Sequence, residues 1–560
     1  MGNQNIFFVK ILLIIFISAF HNQSCTKNTQ THHQTVNADV CVYSATASGL
    51  MAAIAISKGG RSVIIVEPSR WVGGMLGSGI KPRQDCPNIE ATGGMTRPLL
   101  ENLGVRGGKR SNRDISPNNI REDFLELIEE HNIEIIYEHR ISRCILKKGE
   151  ITEALFDLAP YSESGCPPEE AEKLENLRVN ASIFIDASYE GELMYFAGVS
   201  FRTGRESALD YGEETAGVRE PTNLTPIDPF IEPGDPGSGT LKWVETDHGK
   251  FTGAGDHYTQ AYNFRYYVTS DSTNRIPIES PKDYIATDFE LIGRYTAFLA
   301  ENIKDQDSLF QRLSWIFPGW MNAGEYNYQR RSLITMAPIG ISHLYATGDW
   351  ATKTRIWKQH RYYLSGLHYF MSTDLRVPLE FRQKIDSLGF DKKHHPETNG
   401  WPHQLYVRVA RRLVGRYTIT AHDVYNKTQI IDPIGLAQYG IDTYPSRRIW
   451  LEKNGRIYVA LEGKMFIGGA KGPTNVPYPV PYRAITPLKH ECSNLLVPVC
   501  FSATHLGYAS ARMEPVFMIC GESSGIAAVH ALEENAAVQD IEMERFITKL
   551  KEAGQLLAWP

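Results

Sequence analysis

Residues 38–67 constrain this chain more than any other stretch, because they read as one strand–helix–strand crossover closing on an acid. Residues 38–43 (ADVCVY) form a short, apolar, β-branched run, the pattern of a strand covered on both faces in a parallel sheet. The polar turn Ser44-Ala45-Thr46-Ala47-Ser48-Gly49 leads into a helix pattern over 50–58, which stops at Gly59-Gly60. Residues 62–66 (SVIIV) give the second strand, and Glu67 ends it. A helix that begins just after such a turn points free N–H groups at an anion, and an acid at this spacing reaches a ribose diol. Of the three fingerprint positions that favour glycine, only Gly49 keeps it; Ser44 and Thr46 hold the others. A Cβ at Ser44 crowds the tight turn unless φ stays negative, so a negative φ is expected there.

Charge and length exclude several classes. The 560 residues suggest two or three domains, and 58 Lys+Arg against 64 Asp+Glu exclude a protein built to grip nucleic acid. Lys10 precedes the apolar run 11–20 (ILLIIFISAF), which falls short of the roughly 20 residues a bilayer span needs but suits the core of a signal peptide. Residues 1–25 are therefore expected to export the chain to the periplasm or cell envelope. Cys25 stands where a lipoprotein is cut and acylated, although Asn22 replaces the usual aliphatic residue, and 26–37 reads as a polar tether. The membrane is met only through that leader or anchor. None of the eight cysteines forms a C-x-x-C pair, so zinc-ribbon, dithiol and iron–sulfur ligand sets are missing and no metal is expected. A disulfide such as Cys86–Cys166 stays open.

Further along, 118–132 reads as an amphipathic helix, and 134–137, 140–146 and 151–158 as an antiparallel meander. A buried strand at 181–187 leads to Ser188. Pro- and Gly-rich chain after Tyr211 marks a different unit, and strand character returns near 487–499. A helix over 514–533 carries Gly521 and Gly525 on one face, suited to packing on a sheet. The expected fold class is α/β: a discontinuous nucleotide-binding βαβ domain (38–205 and 481–538), an inserted α+β substrate domain (206–480) and a C-terminal helix (539–560).

Glu67 is followed six and seven residues later by Gly73-Gly74, which is similar to the segment completing the FAD pyrophosphate site of two-dinucleotide-binding-domain flavoproteins. Further blocks carry the same likeness, notably 184–206 (FIDASYEGELMYFAGVSFRTGRE), 405–417 (LYVRVARRLVGRY) and 494–518 (NLLVPVCFSATHLGYASARMEPVFM). Together they resemble the bacterial FAD-dependent oxidoreductase family, which shares the glutathione-reductase-like FAD fold of the fumarate reductase group. Its heterodisulfide-reductase-A-like members carry iron–sulfur cysteines that this chain lacks. The resemblance implies FAD as cofactor, lined by Ser44, Ala45, Thr46, Ser48, Gly49, Glu67, Gly73, Gly74, Met75, Ser188 and Glu514. It also implies hydride transfer between a small organic substrate and flavin N5, with carbohydrate-derived alcohols as the favoured class. A polysaccharide lyase-like enzyme and a sugar-binding protein on a decayed flavoprotein fold are the alternatives, the second supported by Ser44.

Flavin dehydrogenation needs a base, a grip on the substrate oxygen and positive charge near the reduced ring. His505 is the candidate base, and Arg512 the candidate grip. Pro515 suits the first turn of a helix entered at Glu514, whose N-terminus offers a dipole to an anionic flavin. Tyr406, Arg408 and Arg411 form a cationic–aromatic clamp; on a helix Arg408, Arg411 and Arg412 share one face, with Arg412 assigned to interface acids. Gln260, Asn263 and Arg265 alternate with aromatics and suit a sugar-sized pocket.

Overall fold

The computed structural model describes residues 34–106, 115–247, 249–319, 321–322, 325–326, 332–464, 466–467 and 476–560. The leader, Cys25 and the first part of the tether lie outside these residues.

The crossover forms as the pattern dictates: β1 (Gln34–Tyr43), α1 (Ala47–Lys58) and β2 (Val63–Val66). Val40 and Val42 of β1 pack towards the helices, while Cys41 and Tyr43 face a second apolar cluster across the sheet. Cover on both faces explains the unbroken apolar run. With β3 (Glu134–Ile136), β4 (His139–Lys147), β5 (Glu150–Leu158) and β6 (Lys173–Asp186), the strand order is β3–β2–β1–β6–β5–β4. The strand Leu495–Leu496 then pairs parallel with β6, so the chain returns to this sheet after a long excursion. That excursion holds the helix Trp350–Thr373 and a separate four-stranded sheet.

Three expectations change, and one open point closes. The tether ends early, because residues 34–37 already belong to β1 and pair with β6 from Gln34↔Leu177 onward; backbone pairing needs no apolar side chains. The first strand of the supposed meander, β3, instead runs parallel to β2, leaving β4 and β5 as the antiparallel hairpin. Cys86 and Cys166 are both free thiols. Gly521 and Gly525, in the helix Glu514–Glu534, seat it on α1 rather than on the sheet: a Cβ would lie 2.1 Å from the Ser48 carbonyl oxygen and 2.4 Å from that of Ala52. Those two glycines bring the late helix against the start of α1.

Candidate functional site

At the C-terminal edge of β1 and β2, the turn and the acid lock together. Ser44 adopts φ +79°, not the expected negative value. Its hydroxyl donates to Glu67 Oε2 at 3.0 Å, and the Ala45 amide donates to the same oxygen at 2.6 Å. The Ser69 amide (2.8 Å) and hydroxyl (2.6 Å) serve Oε1. Burial pushes the Glu67 carboxyl up, and these donors pull it back. Glu67 is 6% exposed and turned inward. The serine is thus tolerated because its side chain bonds the acid. Ser44→Gly would relieve about 1–2 kcal/mol of left-handed strain. It would lose a hydrogen bond to a charged group worth about 1.5–3 kcal/mol and gain unfolded-chain freedom. We expect net destabilisation of about 1 kcal/mol, read as a lower urea midpoint, with the nucleotide site retained.

Thr46 Oγ1 accepts from the Gly49 amide (3.2 Å) and donates to the Ala187 carbonyl (2.8 Å), which caps α1 and pins the turn to the end of β6. The amides of Ala47 and Ser48 head the helix without intrahelical partners. The Ser48 hydroxyl lies at the crossing with Gly521 and has no hydrogen-bond partner among the described residues, so an anion would meet Ser48 through its amide. Gly73 and Gly74 (φ +84° and +51°) open the short helix α2 (Gly74–Gly77), and the Gly73 amide donates to the Ala45 carbonyl at 2.8 Å. Turn, doublet and acid therefore form one cradle: its free amides fit the diphosphate of a dinucleotide, and a ribose diol would donate to Glu67 in place of the Ser44 or Ser69 hydroxyl. Ser188 is engaged elsewhere: its hydroxyl donates to Asp186 Oδ1 (2.6 Å) and accepts from the Gly191 and Glu192 amides.

Beyond the doublet, the Met75 amide donates to the Tyr189 hydroxyl (3.0 Å), which donates to Glu514 Oε1 (2.7 Å). This relay joins the cradle to the start of the 514–534 helix. Tyr189 was not singled out in the sequence; its place one residue after Ser188 was the available cue. Burial pushes the Glu514 carboxyl up to about 8, with Asp85 adding to the effect. A carboxyl raised this way holds a proton in the folded chain that the unfolded chain releases near pH 4.5, so its contribution is full below that pH and is lost as pH rises towards 8. Glu514→Gln should therefore flatten the fall in stability between about pH 4.5 and 8, with the variant gaining on the wild type by a few kcal/mol at the alkaline end in urea melts.

Two residues before Glu514, Arg512 enters a buried polar cluster. It donates to the Tyr406 hydroxyl (3.3 Å), Gln260 Oε1 (3.3 Å) and the Asp442 carbonyl (3.2 Å), and its guanidinium lies 3.5 Å from Asp442 Oδ2. Arg408 stacks between Tyr406 and Tyr444, at 4.7 and 4.5 Å from their ring centres, and bonds the Ala261 carbonyl. Burial pushes it down to about 10, so it stays protonated at neutral pH. Arg265 also stacks on Tyr406, at 4.4 Å from the ring centre. Asp85, which the sequence reading missed, is buried here; burial raises its carboxyl, and Arg265, then Arg512, oppose the rise. The Arg265 carbonyl and the Tyr267 ring also touch Gly79, at the end of the segment that follows the doublet. The cluster thus adjoins the cradle.

The remaining candidates separate. Residues 404–417 hold no helix, only irregular backbone, a short strand at Arg412–Leu413 and bridges such as Tyr406 to Asn263, so the shared helical face does not exist. Arg411 points away from Arg408, to Glu192 Oε1 and the Glu190 carbonyl, both at 3.0 Å, and it drops out of the clamp. Arg412 holds Glu206 (2.7 Å) and the carbonyls of Gly204 and Ala503. Asn263 is buried at the bridge, its Nδ2 donating to the Phe264 carbonyl. His505 opens the helix His505–Ala511, and its Nε2 lies 3.4 Å from Gln260 Nε2. Gln260 Oε1 already accepts from Arg512 and the Tyr444 amide, so the NH₂ end faces the imidazole and His505 Nε2 accepts. Burial, reinforced by Arg412, Arg205, Arg219 and Arg512, holds His505 well below the usual imidazole range and hence neutral.

No curated relative matches the sequence. Among solved structures, the chain is similar to 3-ketosteroid-Δ4-(5α)-dehydrogenase from Rhodococcus jostii RHA1 at 13% identity and a TM-score of 0.18, over 31% of this chain and 50% of that one. It is similar to thioredoxin reductase from T. acidophilum at 19% identity and a TM-score of 0.16, over 27% of this chain and 34% of that one. The chain thus spans about half the length of the steroid dehydrogenase, and superpositions this weak say nothing of substrate. The profile of the family described as FAD dependent oxidoreductase, by contrast, matches residues 39–551. A match running from β1 almost to the C-terminus, over this cradle and its returning strand, makes the chain a member of the FAD dependent oxidoreductase family, with FAD as its cofactor.

Proposed function

We propose that the protein oxidises a small, hydroxylated, anionic substrate of the sugar-acid class. One observation carries this reading: the guanidinium groups of Arg265, Arg408 and Arg512 gather at Tyr406, and among the described residues the carboxylates of Asp85 and Asp442 lie beside them. A buried cluster rich in guanidinium groups favours an anion, and its tyrosine rings with the Gln260 amide suit a polyol. FAD, when bound, supplies the two-electron acceptor. The Ala47 and Ser48 amides, Glu67, Gly73 and Gly74 would hold its dinucleotide part. Arg408 and Arg512 grip the substrate carboxylate and orient its hydroxyl. Asp85 takes the hydroxyl proton; a carboxylate raised by burial is a better acceptor near neutral pH than an ordinary surface acid. His505 then acts through Gln260, fixing the amide that positions Arg512, which moves the base from His505 to Asp85. Export to the cell envelope with a lipid at Cys25 belongs to the same proposal, supported by the apolar run 11–20 and the placement of that cysteine.

The test uses the purified protein under anaerobic conditions. D-gluconate should bleach the visible flavin absorbance, with glucitol slower by about 100-fold, the worth of one charge-assisted contact. Asp85→Asn should slow bleaching by about 10²–10⁴-fold while the protein stays yellow. Equal rates with gluconate and glucitol would remove the anionic substrate. A colourless protein that takes up no flavin on reconstitution would remove the reaction altogether.

A further inference from the structure

We propose that His395, Glu397 and His403 form a binding site for one divalent transition-metal ion of zinc's class. One ligand atom from each residue comes within 4.8 Å of the others. His395 and His403 are 0% and 3% exposed, yet His395 Nε2 and both ring nitrogens of His403 have no hydrogen-bond partner among the described residues. Each buried polar atom left unpaired costs about 1–3 kcal/mol, so three at one spot, beside a carboxylate, need a reason. Two neutral imidazoles and one carboxylate are a ligand set suited to zinc, cobalt or ferrous iron.

The surroundings fix the ligands in the way metal sites require. His395 Nδ1 faces both the Ser78 backbone and the Arg121 guanidinium (Nη1 at 3.4 Å), and Nε2 has no partner among the described residues; the tautomer protonated at Nδ1, donating to Ser78, presents the Nε2 lone pair. The His403 ring stacks on Trp71, with centroids 4.7 Å apart and planes 14° from parallel. Arg121 donates to Glu397 Oε1 at 2.9 Å and to the Gly77 carbonyl at 2.7 Å, which orients the carboxylate and leaves Oε2 without a hydrogen bond among the described residues. Ligands on one tetrahedral ion sit roughly 3.4 Å apart on bonds near 2.1 Å, so the set has to close by about 1 Å. Glu397 has the freedom to do so, since its side chain is 33% exposed, and it also marks the way in. The Arg121 cation opposes a dication, so the ion binds exchangeably and a chelator removes it.

The site has a place in the architecture. Arg121 holds the Gly77 carbonyl, the His395 ring bonds the Ser78 backbone, and the Gln404 amide donates to the Ser78 hydroxyl at 3.1 Å. An ion here braces residues 77–78, which run from the glycine doublet towards Arg265. It is a positioning device behind the cofactor segment, and it takes no part in the chemistry. In the sequence the three residues form H-x-E-x₅-H, a spacing with no helical or ribbon regularity, which is why it gave no metal reading.

The flavin-loaded full chain, treated with EDTA and dialysed, is titrated with Zn²⁺ by calorimetry and with Co²⁺ by visible absorption. We expect about one ion per chain and cobalt bands of a tetrahedral nitrogen–oxygen site. His403→Ala should abolish binding, and Glu397→Gln should weaken it at least about tenfold while flavin absorbance is unchanged. If His403→Ala fails to fold, the wild-type stoichiometry and Glu397→Gln decide the matter, since an exposed side chain can be changed without loss of the fold. Binding far below one equivalent, or binding indifferent to Glu397→Gln, overturns the site and leaves Arg121 as the cation that Glu397 neutralises.

Discussion

Gly49→Ala is expected to yield protein that no longer holds flavin. The added Cβ would lie 2.1 Å from the Ser44 carbonyl oxygen and 3.2 Å from Ala187 Cβ. Neither neighbour is a flexible side-chain end: one is the backbone of the turn, the other the end of the strand pair. To make room, α1 must back away from β1 and β6, which breaks the 2.8 Å bond from Thr46 Oγ1 to the Ala187 carbonyl and displaces the helix-heading amides. Overpacking typically costs about 1–3 kcal/mol, and a clash between backbones sits at or above the upper end of that range. We expect at least about a tenfold lower flavin-to-protein ratio after gel filtration, with stability down by about 3 kcal/mol. Gly60→Ala is the control. Gly60 has φ +71° but no atom within 4 Å of an added Cβ, so it bears only left-handed strain of about 1–2 kcal/mol and should stay yellow. A Gly49→Ala protein with full flavin content would refute the close-packing argument.

Arg512→Met is expected to separate cofactor from catalysis. Methionine fills much of the same volume but removes every donor that reaches Tyr406, Gln260 and Asp442. Two charge-assisted contacts to substrate, at about 1.5–3 kcal/mol each, correspond to a fall in kcat/KM of about 10²–10⁴-fold. Asp442 also loses its guanidinium, and a buried acid left without its partner costs about 3 kcal/mol. Reduction of the bound flavin by dithionite distinguishes the two effects, because it needs no substrate site. Unchanged dithionite reduction with lost gluconate turnover supports the assignment; a variant that turns over gluconate normally removes Arg512 from the site.

Much of the cradle was legible in the chain itself. An apolar run, a polar turn, a helix pattern and a second apolar run ending in an acid are all local, and the crossover β1–α1–β2 closing on Glu67 follows from them. The doublet at Gly73-Gly74 and the apolar 514–534 helix were readable for the same reason, since each is set by neighbours a few residues away. Ser44 shows the limit of that logic. Its positive φ was not foreseen, because the bond that supports it comes from Glu67, and a turn read in isolation contains no such partner.

The buried arginine–tyrosine cluster was decided by tertiary structure. Arg408, Arg411 and Arg412 are close in sequence, yet a non-helical backbone sends Arg411 to Glu192, Arg412 to Glu206 and leaves Arg408 between two tyrosines. Asp85, Gln260, Tyr406 and Arg512 meet from four separate stretches, and no periodicity links them. The sequence determined the crossover, the cradle's acid and glycines, and the family, because short-range sterics and hydrophobic period write those features locally. Which charges face one another was settled only on folding, since a buried charge is placed wherever distant backbone brings it a partner.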